Sequence, residues 1–196
     1  MTSTGTPFPS RFDLSDRLTK AQIELRTLTT ADAQEFLEVV AGSQPELARW
    51  MPWAHGSLPE LLDYQETIEG WQTLFDLGRE AVYGIFAADR LIGGCGLHEG
   101  DSTGEFKIGY WVATPETRQG VATAVVTALL HIAFQSELAD LVLIQIDRNN
   151  LLSQRIPTRL GFVRVEDAAG ERHADEQAGI YTQWVMTRER WTAMIT

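Results

Sequence analysis

The residues with the clearest potential for chemistry lie at Arg118-Gln119-Gly120, where a strand-like pattern gives way to a helical one. The first N–H groups of a helix have no intrahelical partner and carry a partial positive charge, so they can bind an anion such as a pyrophosphate. Gly120 has no Cβ and lets the backbone approach phosphates closely, while Arg118 adds a full positive charge. Taken alone, this short motif is explained equally well by an ordinary strand-to-helix turn.

The strand pattern that precedes this junction, residues 108–113, supplies the missing context. A strand that ends at an anion-binding helix start offers open backbone amides, which can pair with the two amides of a pantetheine arm like an added strand. The combination favours coenzyme A over a nucleoside triphosphate. The chain has no GxxxxGK[ST] phosphate loop, and the glycine-rich run at 93–96 lacks both the GxGxxG spacing and a following helix.

A second motif runs from Asn150 through Ser153 to Gly161. Gly161 is typical of a helix end, and the following Phe162 of re-entry into a sheet. Pro157 has no N–H to donate to the carbonyl of Ser153, so the sequence predicts a kink or a free carbonyl there.

Strand and helix periodicities alternate along the rest of the chain. Helices are predicted from a cap at Thr29 or Thr30 to about Gly42, from Pro59 to about Leu77, at 120–134 and at 151–160. We predict strands at 22–28, 81–88, 91–97, 106–113, 141–146, 162–166 and 179–186, and a mobile polar loop at 167–178. With 196 residues and 44% hydrophobic content, the chain can bury one substantial core, so we expect a single domain at 22–196 after an N-terminal extension at 1–21.

Charge and composition narrow the function classes. The net charge of −11 argues against nucleic-acid or anionic-membrane partners, which need a basic footprint, and favours cationic substrates such as amines. The first twenty residues hold no apolar stretch of the length of a signal peptide or membrane span, so we expect a cytoplasmic protein. The lone Cys95 permits no intrachain disulfide, and the scattered histidines predict no metal site. Among them, His98 is a conceivable base, although structural packing is the favoured interpretation.

Four motifs occur in order along the chain. They are Trp50-Met51-Pro52-Trp53, Ile108-Gly109-Tyr110-Trp111, the phosphate loop at 118–123, and Asn150-x-x-Ser153 followed by Leu160-Gly161-Phe162. In these motifs the chain resembles the RimJ/RimL-like branch of the GNAT superfamily, the branch of the ribosomal-protein N-terminal acetyltransferases. The resemblance implies an α+β fold, an α/β/α sandwich with a mixed, mostly antiparallel sheet of about seven strands flanked by helices.

The resemblance also implies an activity and a set of residues. The activity is transfer of an acetyl group from acetyl-CoA to a primary amine, on either a protein N-terminus or a small molecule. Ser153 would lie near the thioester sulfur and could protonate the leaving thiolate, with Tyr181 as a weaker candidate. The implied cofactor-binding residues are Trp111, Val112 and Ala113 for the pantetheine, Arg118, Gln119, Gly120, Val121, Ala122 and Thr123 for the pyrophosphate, and Asn150 and Arg155 for the rest of the arm.

The acceptor pocket is assigned to Trp50, Trp53 and Tyr110, although the two tryptophans could instead anchor a loop on the core. A homodimer is a further option for the assembly. Two alternatives to an acetyltransferase remain open at this point. One is a GNAT-fold module that binds an acyl-CoA without turnover, and the other is an acyltransferase that uses a longer acyl-CoA.

Two positions depart from the family pattern. Thr117 stands where a Gln or Arg usually opens the phosphate signature, and Lys107 stands where many relatives have a glutamate. An amine must lose a proton before it attacks a thioester, and Lys107 cannot serve as a carboxylate base. Glu99 and Glu105, on either side of the loop before the 106–113 strand, are therefore the candidate bases, although such residues are more commonly solvated loop charges.

Overall fold

The computed structural model describes residues 6–14 and 22–195. Within them, one mixed sheet has nine strands in the order β1-β2-β3-β4-β5-β6-β9-β7, with β8 paired to β9. The strands are β1 Arg11–Leu14, β2 Ile23–Thr27, β3 Ala81–Ala87, β4 Arg90–Glu99, β5 Glu105–Val112, β6 Leu141–Asp147, β7 Val163–Arg164, β8 Ala168–Ala169 and β9 Ile180–Thr187. All neighbouring strands are antiparallel except β5 and β6.

Helices cover both faces of this sheet. They are α1 Ala33–Leu47, α2 Leu61–Asp76, α3 Val121–Gln135, α4 Leu151–Arg159 and α5 Arg188–Ile195. The apolar side chains of α1 and α2 pack with Phe86, Leu91 and Trp111 on one face. The almost wholly buried α3 packs on the other face, against Cys95 and Ile108 among others. The predicted three-layer sandwich is confirmed, and no helix among the described residues is long and apolar enough to cross a membrane.

The structure contains two strands and one helix that the sequence analysis did not predict. The strand β1 falls in the segment that we expected to be an N-terminal extension, and it extends the sheet beside β2; the rest of that segment at 1–5 and 15–21 lies outside the described residues. The two-residue β8 lies inside the predicted loop at 167–178. The helix α5 is fixed by Trp191, which is buried against Phe134, and by Arg188, which donates to the carbonyl of Phe134.

The end of α1 was predicted wrongly. The helix does not stop at Gly42 but continues to Leu47, with Pro45 inside it. Its buried positions, 33, 36, 40, 43 and 47, keep the helical spacing past Gly42. Burial of this stripe outweighs the cost of one interior glycine, which is about 1 kcal/mol.

The arrangement that positions the site is a split in the sheet. Strand β5 pairs with β4 along seven residues, from Phe106 to Val112. On its other side it pairs with β6 over only three, at 105–107, whereas β6 pairs with β9 along its full length. Beyond Lys107 the two parallel strands therefore no longer share a ladder, and a gap opens between them towards the start of α3.

Candidate active site

The split is lined on one side by the main chain of β5. The N–H of Ala113 donates to the carbonyl of Ile92 on the β4 side at 2.8 Å. Because main-chain groups alternate in direction along a strand, those of Trp111 also face β4, and those of Tyr110 and Val112 face the split. Of the predicted pantetheine-binding segment, Val112 is thus the residue that presents its amide to the gap, and Tyr110 is an addition to that set.

The start of α3 presents unbonded N–H groups. Gly120, with φ of 85°, and Arg118, with φ of 63°, are both in the left-handed region and shape the turn before the helix. The first turn of α3 has no acidic residue and no capping side chain. Within the described chain, the N–H groups of residues 119–123 donate to no acceptor. A left-handed turn of this kind followed by free helix amides is a concave site for an anion.

Three arginines add positive charge without a partner. Arg118, Arg155 and Arg159 make no ion pair or hydrogen bond with any described residue. Arg155 and Arg159 lie one turn apart on α4, beside a shallow cavity of about 290 Å³. By contrast, Arg90 is paired with Glu116 at 2.7 Å, which neutralises the carboxylate two residues before Arg118. Unpaired cations in an acidic protein mark a surface suited to phosphate groups.

A hydrogen bond between two side chains crosses the split. The hydroxyl of Tyr110 on β5 lies 2.6 Å from Oγ of Ser153 on α4, the helix that follows β6. Asn150 caps α4, and its Oδ1 accepts a hydrogen bond from the Ser153 N–H at 3.2 Å. Pro157 lies inside the helix, where it cannot donate to the Ser153 carbonyl, as the sequence predicted.

The environment of Tyr110 keeps its hydroxyl protonated. Burial is the main cause, and it raises the pKa of Tyr110 to about 12, although the hydrogen bond with Ser153 opposes the shift. At neutral pH the pair therefore holds hydroxyl protons that it can donate. The sequence assigned Ser153 and Tyr110 to separate roles, and only the tertiary structure shows that their hydroxyls are hydrogen-bonded to each other.

The predicted aromatic residues are partly brought together. The Trp53 ring is 46% exposed and lies 6.0 Å from the ring of Trp111, which packs edge-on against Phe36. Trp50 instead lies beside the guanidinium of Arg49, at 5.6 Å. Trp53 thus lies beside Trp111, on the face of the sheet that α1 and α2 cover.

The loop at 167–178 approaches the tryptophan segment and is anchored at both ends. Gln177 donates to the carbonyl of Arg49 at 3.1 Å, and the buried carboxylate of Asp147 accepts from the N–H groups of Ala178 and Gly179. Tyr181, the weaker candidate for the thiolate proton, donates to the carbonyl of Glu171 at the other side of this loop.

The two candidate carboxylates lie away from the Tyr110 and Ser153 pair. Glu99 is on the exposed surface, in an ion pair with Arg79 at 2.6 Å. Glu105 starts β5, five residues before Tyr110, which is about 16 Å along a strand. Lys107 binds the carboxylate of Asp101 at 2.8 Å. No described group of three or more His, Cys, Asp or Glu residues could hold a metal ion.

Comparisons with known proteins place this architecture in a family. The sequence matches the model of the acetyltransferase (GNAT) domain over residues 22–163, and the chain belongs to that family. It is therefore an acyltransferase, and the family predicted from the sequence motifs is confirmed.

One named relative and two solved structures are similar to this chain. The chain is 32% identical over 146 residues to the putative ribosomal N-acetyltransferase YdaF of Bacillus subtilis (strain 168), covering 72% of this chain and 78% of that protein. It is similar in structure to a probable acetyltransferase with a TM-score of 0.80 and 24% identity, covering 92% and 99% of the two chains. RimL, a ribosomal L7/L12 alpha-N-protein acetyltransferase crystallised with coenzyme A, also gives a TM-score of 0.80, at 14% identity and 91% and 99% coverage.

Proposed function

We propose that this protein transfers an acetyl group from acetyl-CoA to the α-amino group of a protein N-terminus. The observation that carries the proposal is the open split between β5 and β6 with the unbonded N–H groups of α3 at its mouth. A strand edge beside an anion-binding turn matches a ligand that has amides at one end and linked phosphates at the other.

The residues present fit the pantetheine and phosphate parts of acetyl-CoA. The main chain of Val112 and Tyr110 would pair with the pantetheine amides, and the N–H groups at 119–123 with the pyrophosphate. Arg118 and Arg155 are free to pair with phosphate oxygens. Acetyl-CoA, when bound, supplies the acetyl group as a thioester.

The Tyr110 and Ser153 pair is suited to protonate a leaving thiolate. Both hydroxyls lie between β5 and α4, where their hydrogen bond crosses the split. Asn150 holds the first turn of α4 and thereby the Ser153 side chain. A proton donor that is already held in place needs little reorganisation when negative charge develops on the sulfur.

The relatives support an α-amino group as the acceptor. YdaF is named as a ribosomal N-acetyltransferase and RimL as an alpha-N-protein acetyltransferase. The exposed ring of Trp53 next to Trp111, and the net charge of −11, suit a cationic chain end. A cytoplasmic location, where new protein N-termini arise, fits this acceptor.

Release of free coenzyme A, measured with a thiol reagent, tests the proposal. The acceptors are short peptides that begin with Ser, Ala or Met, the same peptides with an acetylated N-terminus, and spermidine as a small amine. We expect thiol release with free N-termini and none with blocked ones. Binding of acetyl-CoA without thiol release from any acceptor would contradict the proposal and indicate a binding module, and turnover only with succinyl-CoA would indicate a longer acyl donor.

A further inference from the structure

A histidine and a glutamate that the proposed function leaves unused lie together at the end of the β3 and β4 hairpin. Nδ1 of His98 is 2.8 Å from Oε2 of Glu80. The register explains the contact, because Ala81 is paired with Leu97 and the next residues outward, Glu80 and His98, stand opposite each other.

The hydrogen bond fixes which nitrogen of the ring is free. An ionised carboxylate can only accept, so Nδ1 of His98 carries the proton that Glu80 receives. In the neutral ring the available lone pair is then on Nε2, which bonds to no other described residue. A carboxylate that holds an imidazole in this way is the arrangement by which proteins orient a histidine base.

The free nitrogen lies over two glycines. Gly96 and Gly109 are register partners on β4 and β5. A Cβ on Gly96 would come within 3.1 Å of His98 Nε2, and a Cβ on Gly109 within 3.5 Å. Since neither residue has a side chain, the imidazole ring can lie directly over the backbone of both strands. The His98 side chain is 40% exposed, so a substrate can reach it from solvent.

This position is level with the Tyr110 and Ser153 pair, on the opposite face of β5. Gly109 immediately precedes Tyr110, and successive side chains of a strand point to opposite faces. Tyr110 packs towards the core that contains α3. The ladder between β5 and β6 ends at Lys107, so the split begins at this level, with the proton acceptor and the proton donors on opposite faces of β5 beside it.

We propose that His98 is the general base that removes the proton from the acceptor amine, and that Glu80 is its positioning residue. The inference rests on the proposed function. The amine nitrogen forms a bond to the acetyl carbonyl carbon and gives a proton to His98 Nε2. The bond between carbon and sulfur breaks, its electron pair stays on sulfur, and the thiolate takes a proton from the Tyr110 and Ser153 pair. Exchange with solvent restores both groups.

The charged groups that face the ring are few. Glu80 holds Nδ1, and Lys107 is the register partner of His98 on β5, with its ammonium bound to Asp101. The neighbouring side chain from β3 is the apolar Val82, which approaches Gly96. No carboxylate other than that of Glu80 is placed to bond the ring within the described residues.

The test compares His98→Gln and Glu80→Gln with the wild type in thiol release from the free-N-terminus peptides. We expect His98→Gln to lower kcat/KM by about 10²-fold or more, since a general base contributes about 10²- to 10⁴-fold. The acidic limb of the pH profile of kcat/KM should disappear in this variant, and added imidazole should restore part of the activity of His98→Ala. Glu80→Gln should cause a smaller loss and alter the same limb. A histidine with a merely structural role would show neither the altered limb nor the rescue.

Control variants distinguish the loss of a general base from other causes of lower activity. His131→Gln changes a histidine on α3 that contacts Trp191, remote from the split, and should keep wild-type kcat/KM. Glu99→Gln and Glu105→Gln test the competing carboxylates, and a loss confined to one of them would overturn the proposal. The proposal would also be overturned if His98→Gln had a kcat/KM within twofold of the wild-type value and an unchanged pH profile. Absence of thiol release by the wild type itself would overturn the proposed function and the base together, whereas an active His98→Gln would overturn the base alone.

Discussion

At the scale of single residues, the Tyr110 and Ser153 pair links the two sides of the split. The distance of 2.6 Å between their oxygens is that of a short hydroxyl hydrogen bond. Because Tyr110 remains a neutral phenol, the pair can supply a proton but does not compete with a base for one. Acid and base functions are thereby separated across the two faces of β5.

Substitution of Ser153 by alanine tests the donor. We expect Ser153→Ala to lower kcat with acetyl-CoA by about 10²-fold, because a positioned proton donor contributes at least that much. The affinity for coenzyme A should change little, since Ser153 is assigned to the sulfur and not to the phosphates. Steady-state thiol release and calorimetry give the two values. Thr73→Ala, which removes a hydroxyl from α2 that bonds only its own helix, is the control, and equal kcat for both variants would contradict the role of Ser153.

The ion pair between Arg26 and Asp32 makes stability depend on pH. Hydrogen bonds from Arg26 are the main cause that lowers the pKa of Asp32 to about 2. A carboxyl group with a lowered pKa in the folded state stabilises the fold above its unfolded pKa, and that contribution disappears as pH falls towards 2. Asp32 also accepts from the N–H and hydroxyl of Thr29, in a capping box of the 3-10 turn Thr30–Asp32 that leads into α1.

Asp32→Asn should therefore lower the free energy of unfolding by about 1–2 kcal/mol at pH 7, after allowance for solvent screening. The difference from the wild type should shrink as the pH is lowered from 5 to 2. Urea unfolding at a series of pH values measures it. A difference that stays constant over this range would show that the carboxylate charge is not the cause.

At the scale of elements, the start of α3 places the anion site. Gly120 needs a positive φ, which costs a residue with a side chain about 1–2 kcal/mol. We expect Gly120→Ala to destabilise the protein by about that amount and to weaken coenzyme A binding, since a Cβ would stand where phosphates approach.

Gly42→Ala is the matched control, because its Cβ would meet no atom within 4 Å inside α1. It should stabilise the protein by about 0.5–1 kcal/mol without changing affinity. Equal affinities in both variants would argue against phosphate binding at this turn.

The elements differ in how well the sequence predicts them. Long amphipathic segments such as α2 and α3 carry many periodic positions, so their bounds were predicted to within about two residues. The two-residue β8 and the four-residue β1 have too few positions to show a period. The left-handed turn before α3 is local in sequence, and Arg118-Gln119-Gly120 pointed to it. The contact between His98 and Glu80 is not local, and the only signal for it is the hairpin register around Asp89.

At the scale of the whole molecule, charge is distributed to suit the two ligands. The chain has a net charge of −11, yet among the residues that the structure describes the unpaired arginines are at or near α3 and α4, where the phosphates would bind. An anionic cofactor is thus drawn to a local positive region, and a cationic acceptor to the acidic remainder.

Acceptor choice should therefore depend on salt. We expect a peptide with Lys or Arg after its free N-terminus to have a lower KM than one with Asp or Glu there. The difference should fall as sodium chloride is raised from 0.05 to 0.5 M, because exposed charges are screened over a shorter distance. A neutral peptide should change little. A charge preference that is independent of salt would indicate direct contacts and not the field of the whole protein.

A crystal structure of the protein with coenzyme A would show whether the split and the start of α3 hold the cofactor. We expect pyrophosphate oxygens about 2.7–3.2 Å from the N–H groups of residues 119–123, and pantetheine amides bonded to the main chain of Val112 or Tyr110. Pyrophosphate bound elsewhere, with those N–H groups turned to protein acceptors and the split closed, would contradict it.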